Sequence, residues 1–121
     1  MPCMGITHLA IEVGNASNPT ETVEVKCIVD SGLTYSVIPR AILKGLGIEP
    51  ITREEYRLAN GERIEREKGV AIFKYAGRTG GADVIFGEEG DETLLGAFTL
   101  EAIGLSLDPL RRELKPIPLL L

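Results

Sequence analysis

Asp30 is the residue of this sequence whose position most favours chemistry. It ends an apolar run, residues 27–29, and is followed directly by Ser31 and Gly32. A carboxylate in that position must either turn to solvent or be held by hydrogen bonds in a partly buried site. A partly buried site of this kind is where a carboxylate can act as a general acid or base. Asp, Ser and Gly also dominate ordinary turns, so the tripeptide by itself favours a turn and the surrounding sequence has to decide.

Other residue types that commonly carry catalysis or bind metals are scarce. The sequence has no phosphate-binding glycine loop, no dinucleotide-binding fingerprint and no G-x-S-x-G nucleophile elbow. The single histidine, His8, falls on the polar side of a predicted strand, which favours an exposed residue over a triad member. Cys3 and Cys27 are too few for a disulfide framework or, with one histidine, for a tetrahedral zinc site. We therefore expect reduced thiols, a buried Cys27 and no metal.

The acidic segment over residues 87–92 invites a calcium interpretation. Its carboxylates do not follow the alternating spacing of a calcium-binding loop. The sequence therefore predicts a solvated loop there.

Alternation of apolar and polar residues, the pattern of half-buried strands, dominates the sequence. Turn formers at residues 15–19 separate the first two alternating runs and predict a long hairpin. The predicted strands are residues 7–13, 23–29, 70–75 and 84–86, with a glycine turn over 77–81. Two short helices are predicted over residues 39–47 and 98–104, ended by Gly47 and Gly104.

Length and composition limit the class of protein. The 121 residues, 44% of them hydrophobic, predict one domain spanning residues 1–121 with a core that needs no metal or disulfide. The formal net charge of −5 has the wrong sign for wrapping a phosphate backbone, so nucleic acid is not an expected partner. No apolar run approaches the ~20 residues that span a bilayer, and the amino terminus lacks the pattern of a secretory signal. We expect no membrane partner and a cytoplasmic protein.

The segment around Asp30 resembles the active-site segment of retropepsin-like aspartic proteases. In that family an apolar strand runs into Asp-Thr/Ser-Gly, and a second apolar-apolar-Gly signature precedes a carboxy-terminal helix. Residues 27–39 with the short helix after them match the first signature, and Leu94, Leu95 and Gly96 match the second. A predicted hairpin lies between the two, where the family carries its flap. Three features in the right order make the resemblance far more specific than the tripeptide.

The resemblance implies a small closed antiparallel β-barrel and an aspartic endopeptidase that cleaves peptide or protein substrates bound in an extended conformation. Two carboxylates a few ångströms apart share one proton and together activate water, so no cofactor is required. Of the four aspartates only Asp30 has the motif, so its partner must be Asp30 of a second chain related by a two-fold axis. The catalytic interpretation therefore requires a homodimer.

Roles for the residues after Asp30 follow from the resemblance position by position. Ser31 matches the hydroxyl that reaches across the dimer to brace both loops, and Gly32 lets a backbone amide approach the carboxylate. Leu33 and Thr34 continue this supporting loop. Relatives often have Ala, Ser or Thr where this chain has Leu33, which offers no hydroxyl and adds bulk. We expect either a pH optimum milder than that of strongly acidic members or a site that has lost activity.

The resemblance also assigns the scaffold and the flap. Leu94, Leu95 and Gly96 match the strand that packs beneath the aspartate loop and takes no part in the chemistry. The Asn-Gly pair between extended arms is a strong hairpin signal, and such a hairpin also occurs in any β meander. As a flap closing over bound peptide, its tip would consist of Ala59, Asn60 and Gly61.

The tail, residues 115–121, is apolar and contains two prolines, which exclude a helix and allow an edge strand. It either interlaces across the dimer interface or packs on its own barrel. Two other functions stay open: a retropepsin-like module that binds peptides or dimerises without catalysis, and an unrelated β-barrel whose Asp-Ser-Gly is coincidental.

Overall fold

The computed structural model describes residues 7–108 and 110–118. In these residues the fold is mostly β with two short helices, which confirms the fold class that the alternating pattern predicts. In chain order the elements are β1 (Thr7–Asn15), β2 (Asn18–Val29), β3 (Ser36–Pro39), α1 (Arg40–Gly45), β4 (Thr52–Arg57), β5 (Arg63–Tyr75), β6 (Arg78–Gly87), β7 (Leu94–Leu95), α2 (Ala97–Ala102), β8 (Leu105–Asp108) and β9 (Glu113–Pro116).

Seven strands of the described chain form one sheet in the order β1-β2-β7-β3-β6-β5-β4, and β1 also pairs with β5. Most of the pairings are antiparallel, as expected, but β2 pairs with β7 and β3 pairs with β6 in parallel. Parallel neighbours need a long crossover connection. Here the crossovers contain other strands and α1, so alternation along the sequence does not reveal them.

Both helices are followed by glycines with a left-handed backbone, as predicted. Gly47 has φ of +77° and Gly104 has φ of +75°, a region that penalises any side chain. The predicted range 39–47 is too long for α1, because Pro39 has an extended ψ of 135° and stands before the first helical residue. α2 begins at Ala97, one residue earlier than predicted.

The core lies between the strands and the two helices. Its largest fully buried side chains are Phe73, Phe86, Ile11, Ile38, Leu43 and Leu95. Cys27 is 1% exposed, as predicted, and burial raises the pKa of its thiol to about 12, which leaves it unreactive. His8 is exposed on β1, as its place in the alternation predicts.

The glycine turn predicted over residues 77–81 is wrong in extent. The chain reverses at Ala76 and Gly77, whose φ values are +50° and +79°, and β6 begins directly afterwards. Gly80 therefore lies within a strand. A Cβ at Gly80 would stand 2.2 Å from the carbonyl oxygen of Ala102, so this glycine is where α2 packs on the strand backbone.

The carboxy-terminal segment forms the predicted edge strand and packs on its own chain. β9 pairs with β8 in a separate antiparallel ribbon, and the N–H of Ile117 donates to the carbonyl of Gly104 at 2.9 Å. Residues 119–121, the end of the predicted interface tail, lie outside the described residues.

Candidate active site

Asp30 directly follows β2, and the neighbouring strand β7 holds its main chain. Its N–H donates to the carbonyl of Leu95 at 3.0 Å, which extends the parallel pairing of β2 with β7 by one hydrogen bond. The side chain is exposed, and its Oδ1 accepts the N–H of Gly32 at 2.9 Å. The N–H of Leu33 donates back to the carbonyl of Asp30 at 3.2 Å. The carboxylate therefore projects from the end of a buried strand at the start of a hydrogen-bonded turn.

The four aspartates differ in their charged neighbours. Asp91 contacts Arg66 at 2.7 Å, Asp108 contacts Lys115 at 2.8 Å, and Asp83 lies 3.6 Å from the ammonium of Lys68. Within residues 7–108 and 110–118, no Lys or Arg nitrogen lies within 4.0 Å of the Asp30 carboxylate. Asp30 is thus the aspartate that no cation of the described chain neutralises.

The loop after Asp30 is fastened to the amino-terminal end of α2. The carbonyl of Leu33 accepts the N–H of Ala97 at 2.7 Å, and the carbonyl of Thr34 accepts the N–H of Phe98 at 3.1 Å. These two N–H groups open α2 and have no partner inside the helix. The predicted supporting loop is therefore joined to a helix. The exposed hydroxyl of Ser31 lies on the same loop, and its predicted contact across a dimer stays a prediction.

A buried pair of hydroxyls, Ser36 and Thr99, lies beneath this loop and was not anticipated from the sequence. Their oxygens are 2.5 Å apart, both side chains are fully buried, and Ser36 Oγ accepts the N–H of Gly96 at 3.0 Å. Buried polar groups of this kind persist because they satisfy one another. Ser36 shares the inward-facing side of β3 with Ile38. Its place in the alternation with Ile38 is the feature of the sequence from which its burial could have been predicted.

Leu94 and Leu95, which the resemblance assigns to the scaffold together with Gly96, form β7, and Gly96 follows directly; their scaffold role stays a prediction. β7 sits between β2 and β3, with Leu95 opposite Val29 and Leu94 opposite Val37. A Cβ on Gly96 would stand 2.5 Å from the carbonyl oxygen of Tyr35, so only glycine allows this approach. In the apolar-apolar-Gly pattern, the two leucines thus belong to the sheet, and the glycine lets the main chain pack closely against the loop.

The predicted hairpin is present as β4 and β5, joined by five residues. The N–H of Leu58 donates to the carbonyl of Glu62 at 2.7 Å, and Asn60 Oδ1 accepts the N–H of Glu62 at 2.9 Å. Gly61 has φ of +90°. Of the three residues predicted for the flap tip, Ala59 borders the pocket described next, whereas Asn60 and Gly61 do not.

A pocket of about 530 Å³ separates the Asp30 loop from the β4–β5 hairpin. Gly32, Leu33 and Thr34 line it on one side, and Leu58 and Ala59 line it on the other. The Leu33 side chain is 39% exposed, so the bulk expected from the sequence lies at the pocket wall. Six further lining side chains are apolar or aromatic: Tyr35, Val37, Tyr56, Ile64, Ile85 and Leu94.

Aromatic rings connect the segment after Asp30 with β4 and with α2. Tyr35 makes edge-to-face contacts with Tyr56 on β4, at 5.8 Å between ring centroids, and with Phe98 on α2, at 5.6 Å. The ammonium of Lys68 lies 5.2 Å from the centroid of the Tyr35 ring. Such contacts hold the hairpin and α2 on the segment that carries Asp30.

The acidic segment over residues 87–92 is less solvated than predicted, because two arginines bind it. Arg66 pairs with Asp91, and Arg40 pairs with Glu88 at 2.7 Å and also with Glu67. The Arg66 hydrogen bonds hold the pKa of Asp91 below its usual value, and those of Arg40 lower the pKa of Glu88. Among residues 7–108 and 110–118, no group of three or more His, Cys, Asp or Glu side chains could hold a metal ion.

Neither helix of the described chain has the length and apolar character that crossing a bilayer requires.

No protein-family model matches the chain, and no curated protein matches it. Among solved structures, the protease of simian foamy virus (mac), determined in solution, is similar. It is 22% identical, the match covers 77% of this chain and 92% of that chain, and the TM-score is 0.51. At that identity the similarity concerns the fold alone, and the chain shares a retropepsin-like fold with this viral protease.

Proposed function

We propose that the protein is an aspartic endopeptidase that acts as a homodimer and hydrolyses peptide bonds with Asp30 from each chain. The observation that carries the proposal is the exposed Asp30 carboxylate, which ends a buried strand and has no cationic partner among the described residues. The retropepsin-like fold and the pocket beside the Asp30 loop support it.

The proposed chemistry needs two carboxylates and one water molecule. Two Asp30 side chains facing each other across a two-fold axis share a proton, because like charges at that distance do not both ionise. The ionised carboxylate takes a proton from water as the water oxygen attacks the amide carbon, and the protonated carboxyl donates to the carbonyl oxygen. Collapse of the tetrahedral intermediate expels the amine, which leaves with a proton from the pair.

Other parts of the chain have supporting roles in this proposal. The N–H of Gly32 orients one oxygen of Asp30, and the Ser31 hydroxyl braces the equivalent loop of the second chain. In this proposal the sheet, in which β1 also pairs with β5, forms a small closed barrel, and residues 1–121 act as one domain. The turn over residues 59–61 serves as a flap above an extended peptide in the pocket.

Asp30→Asn is the direct test, because asparagine keeps the size of the side chain and an acceptor for the Gly32 N–H. We expect cleavage of a peptide library by the wild type, blocked by pepstatin-like inhibitors, and a loss of at least about 10³-fold in the variant. Asp83→Asn, which changes an aspartate on β6 near Lys68, is the matched control and should keep activity. Equal activity of Asp30→Asn and wild type would refute the proposal.

A peptide-binding module without catalysis is the second candidate function. β4 is the outer strand of the seven-stranded sheet, and its second edge, which has no partner strand among the described residues, could pair with an extended peptide. Peptide binding by both the wild type and Asp30→Asn, with cleavage by neither, would establish this function instead.

A further inference from the structure

One end of the pocket is polar, and Arg66 on β5 forms it. Residues along β5 alternate in exposure, so Arg66 shares the inward side with Ile64, whereas Arg63 and Glu65 face outward. The Arg66 side chain is 18% exposed, and both Arg66 and Asp91 line the pocket. An arginine is therefore built into a wall that is otherwise largely apolar.

Asp91 fixes the orientation of this guanidinium. Nε donates to Asp91 Oδ2 at 2.7 Å and one terminal nitrogen donates to Oδ1 at 2.9 Å, the geometry of a bidentate pair. Asp91 Oδ2 also accepts the N–H of Glu88 at 2.8 Å, which anchors the carboxylate. The second terminal nitrogen of Arg66 donates to the carbonyl of Glu65 at 2.8 Å.

Two donors of Arg66 remain. An arginine side chain has five N–H groups, and three of those of Arg66 have acceptors within the described chain. The remaining two N–H groups belong to a guanidinium whose orientation is fixed by Asp91 at a pocket wall. They are suited to an oxygen acceptor supplied by a ligand.

The charge of the surroundings favours a neutral acceptor over a carboxylate. Asp91 already neutralises Arg66. The two other charged residues of the lining, Arg57 and Glu92, have opposite signs, so the lining carries no net positive charge to attract a carboxylate. The apolar wall accommodates a methylene stem, so the side chain that fits has a short apolar stem and an amide at its tip.

We propose that Arg66 is a specificity-determining residue that binds the side-chain carbonyl of a glutamine in the peptide substrate. This inference rests on the proposed function to the extent that the pocket receives a peptide. It does not depend on cleavage, and binding alone tests it.

The experiment measures binding by calorimetry to the Asp30→Asn protein, which cannot consume its ligand in the proposed mechanism. The probes are apolar octapeptides that differ at one central position, which is Gln, Glu or Met. We expect the Gln peptide to bind about tenfold more tightly than either alternative, the effect of one added hydrogen bond. Arg66→Met in the same background should remove the difference and keep binding of the Met peptide.

Arg63→Met is the matched control, because it removes the same charge from an outward-facing position of β5 that pairs with Glu55. It should retain the preference for Gln. Arg66→Lys, which keeps the charge and offers fewer donors in another geometry, serves if Arg66→Met fails to fold, and it should reduce the preference. Equal binding of the three peptides to the Asp30→Asn protein, or a Gln preference that survives in both Arg66 variants, overturns the inference.

Cleavage by the wild type separates this inference from the proposed function. Absence of cleavage together with an Arg66-dependent Gln preference refutes the endopeptidase and supports the inference. Cleavage with no preference for Gln at any position supports the endopeptidase and refutes the inference about Arg66.

Discussion

At the scale of single residues, the neighbours of a carboxylate decide whether it can act on a substrate. Asp83, Asp91 and Asp108 each have a lysine or arginine within 4.0 Å, and the hydrogen bonds of Arg66 and Lys115 lower the pKa of Asp91 and Asp108. Asp30 has a backbone N–H instead and faces solvent. A carboxylate of this kind is available to a second carboxylate and to water, as the proposed chemistry requires.

Ser36 is expected to stabilise the fold beneath the Asp30 loop. Ser36→Ala removes the acceptor of the Gly96 N–H and the partner of the buried Thr99 hydroxyl. We expect the free energy of unfolding to fall by about 2–3 kcal/mol, because two buried polar groups lose their partner. Urea unfolding measures it, with Ser106→Ala on the exposed side of β8 as a control that should change stability by less than about 0.5 kcal/mol. A similar change in both variants would contradict this role.

The ion pair of Asp91 predicts a pH-dependent contribution to stability. Arg66 lowers the pKa of Asp91 in the folded state, so the stabilisation is complete above the unfolded pKa of about 4 and disappears as pH falls through the lower folded value. Asp91→Asn should therefore be less stable than wild type at pH 6, and the difference should narrow below about pH 4. Urea unfolding across this range measures it, with the exposed Glu89→Gln as control. A difference that stays constant with pH would exclude this explanation.

At the scale of elements, α2 holds the site together. Its first N–H groups bind the carbonyls of Leu33 and Thr34, while its last turn packs against β6 at Gly80. The helix has only six residues and would not be stable alone. The position of α2 therefore depends on contacts at both of its ends. A substitution at Gly80 that moves the helix should also move the Asp30 loop.

Gly80→Ala tests this packing. The added Cβ would meet the main chain of Ala102 at 2.2 Å, so the helix has to move and we expect a loss of about 3 kcal/mol or more. Gly81→Ala is the matched control, because its Cβ would find its nearest neighbour at 3.8 Å and should change stability by less than about 1 kcal/mol. Thermal unfolding compares the two, and equal midpoints would show that the close approach is not a constraint.

At the scale of the whole molecule, the proposal requires two chains, because each chain supplies one Asp30 and the proposed chemistry needs two carboxylates. Mixing equal amounts of wild type and Asp30→Asn, with time for subunit exchange, should lower the activity to about half that of the wild type alone, since mixed dimers lack the pair. The measurement is peptide cleavage at constant wild-type concentration, with mass spectrometry of intact complexes to verify exchange. Unchanged activity after full exchange would mean that each chain works alone.

The pairing partner of the carboxy-terminal strand is a property that the tertiary structure determines. The prolines and apolar residues predict an edge strand, and β9 is one. Whether such a strand pairs within its chain or with another depends on which edge is free nearby. In the described residues β8 provides that edge within the chain.

The sequence by itself determined the local features of this protein. Alternation predicted β1 and β2, glycines predicted the ends of both helices, and an apolar run before Asp30 marked the candidate site, because each depends on residues close together in the chain. Only the tertiary structure decided that β7 lies between β2 and β3, that Ser36 meets Thr99, and that Arg66 reaches Asp91. Those contacts join residues 25 to 66 positions apart, and no periodicity in the sequence encodes which distant partner a side chain will find.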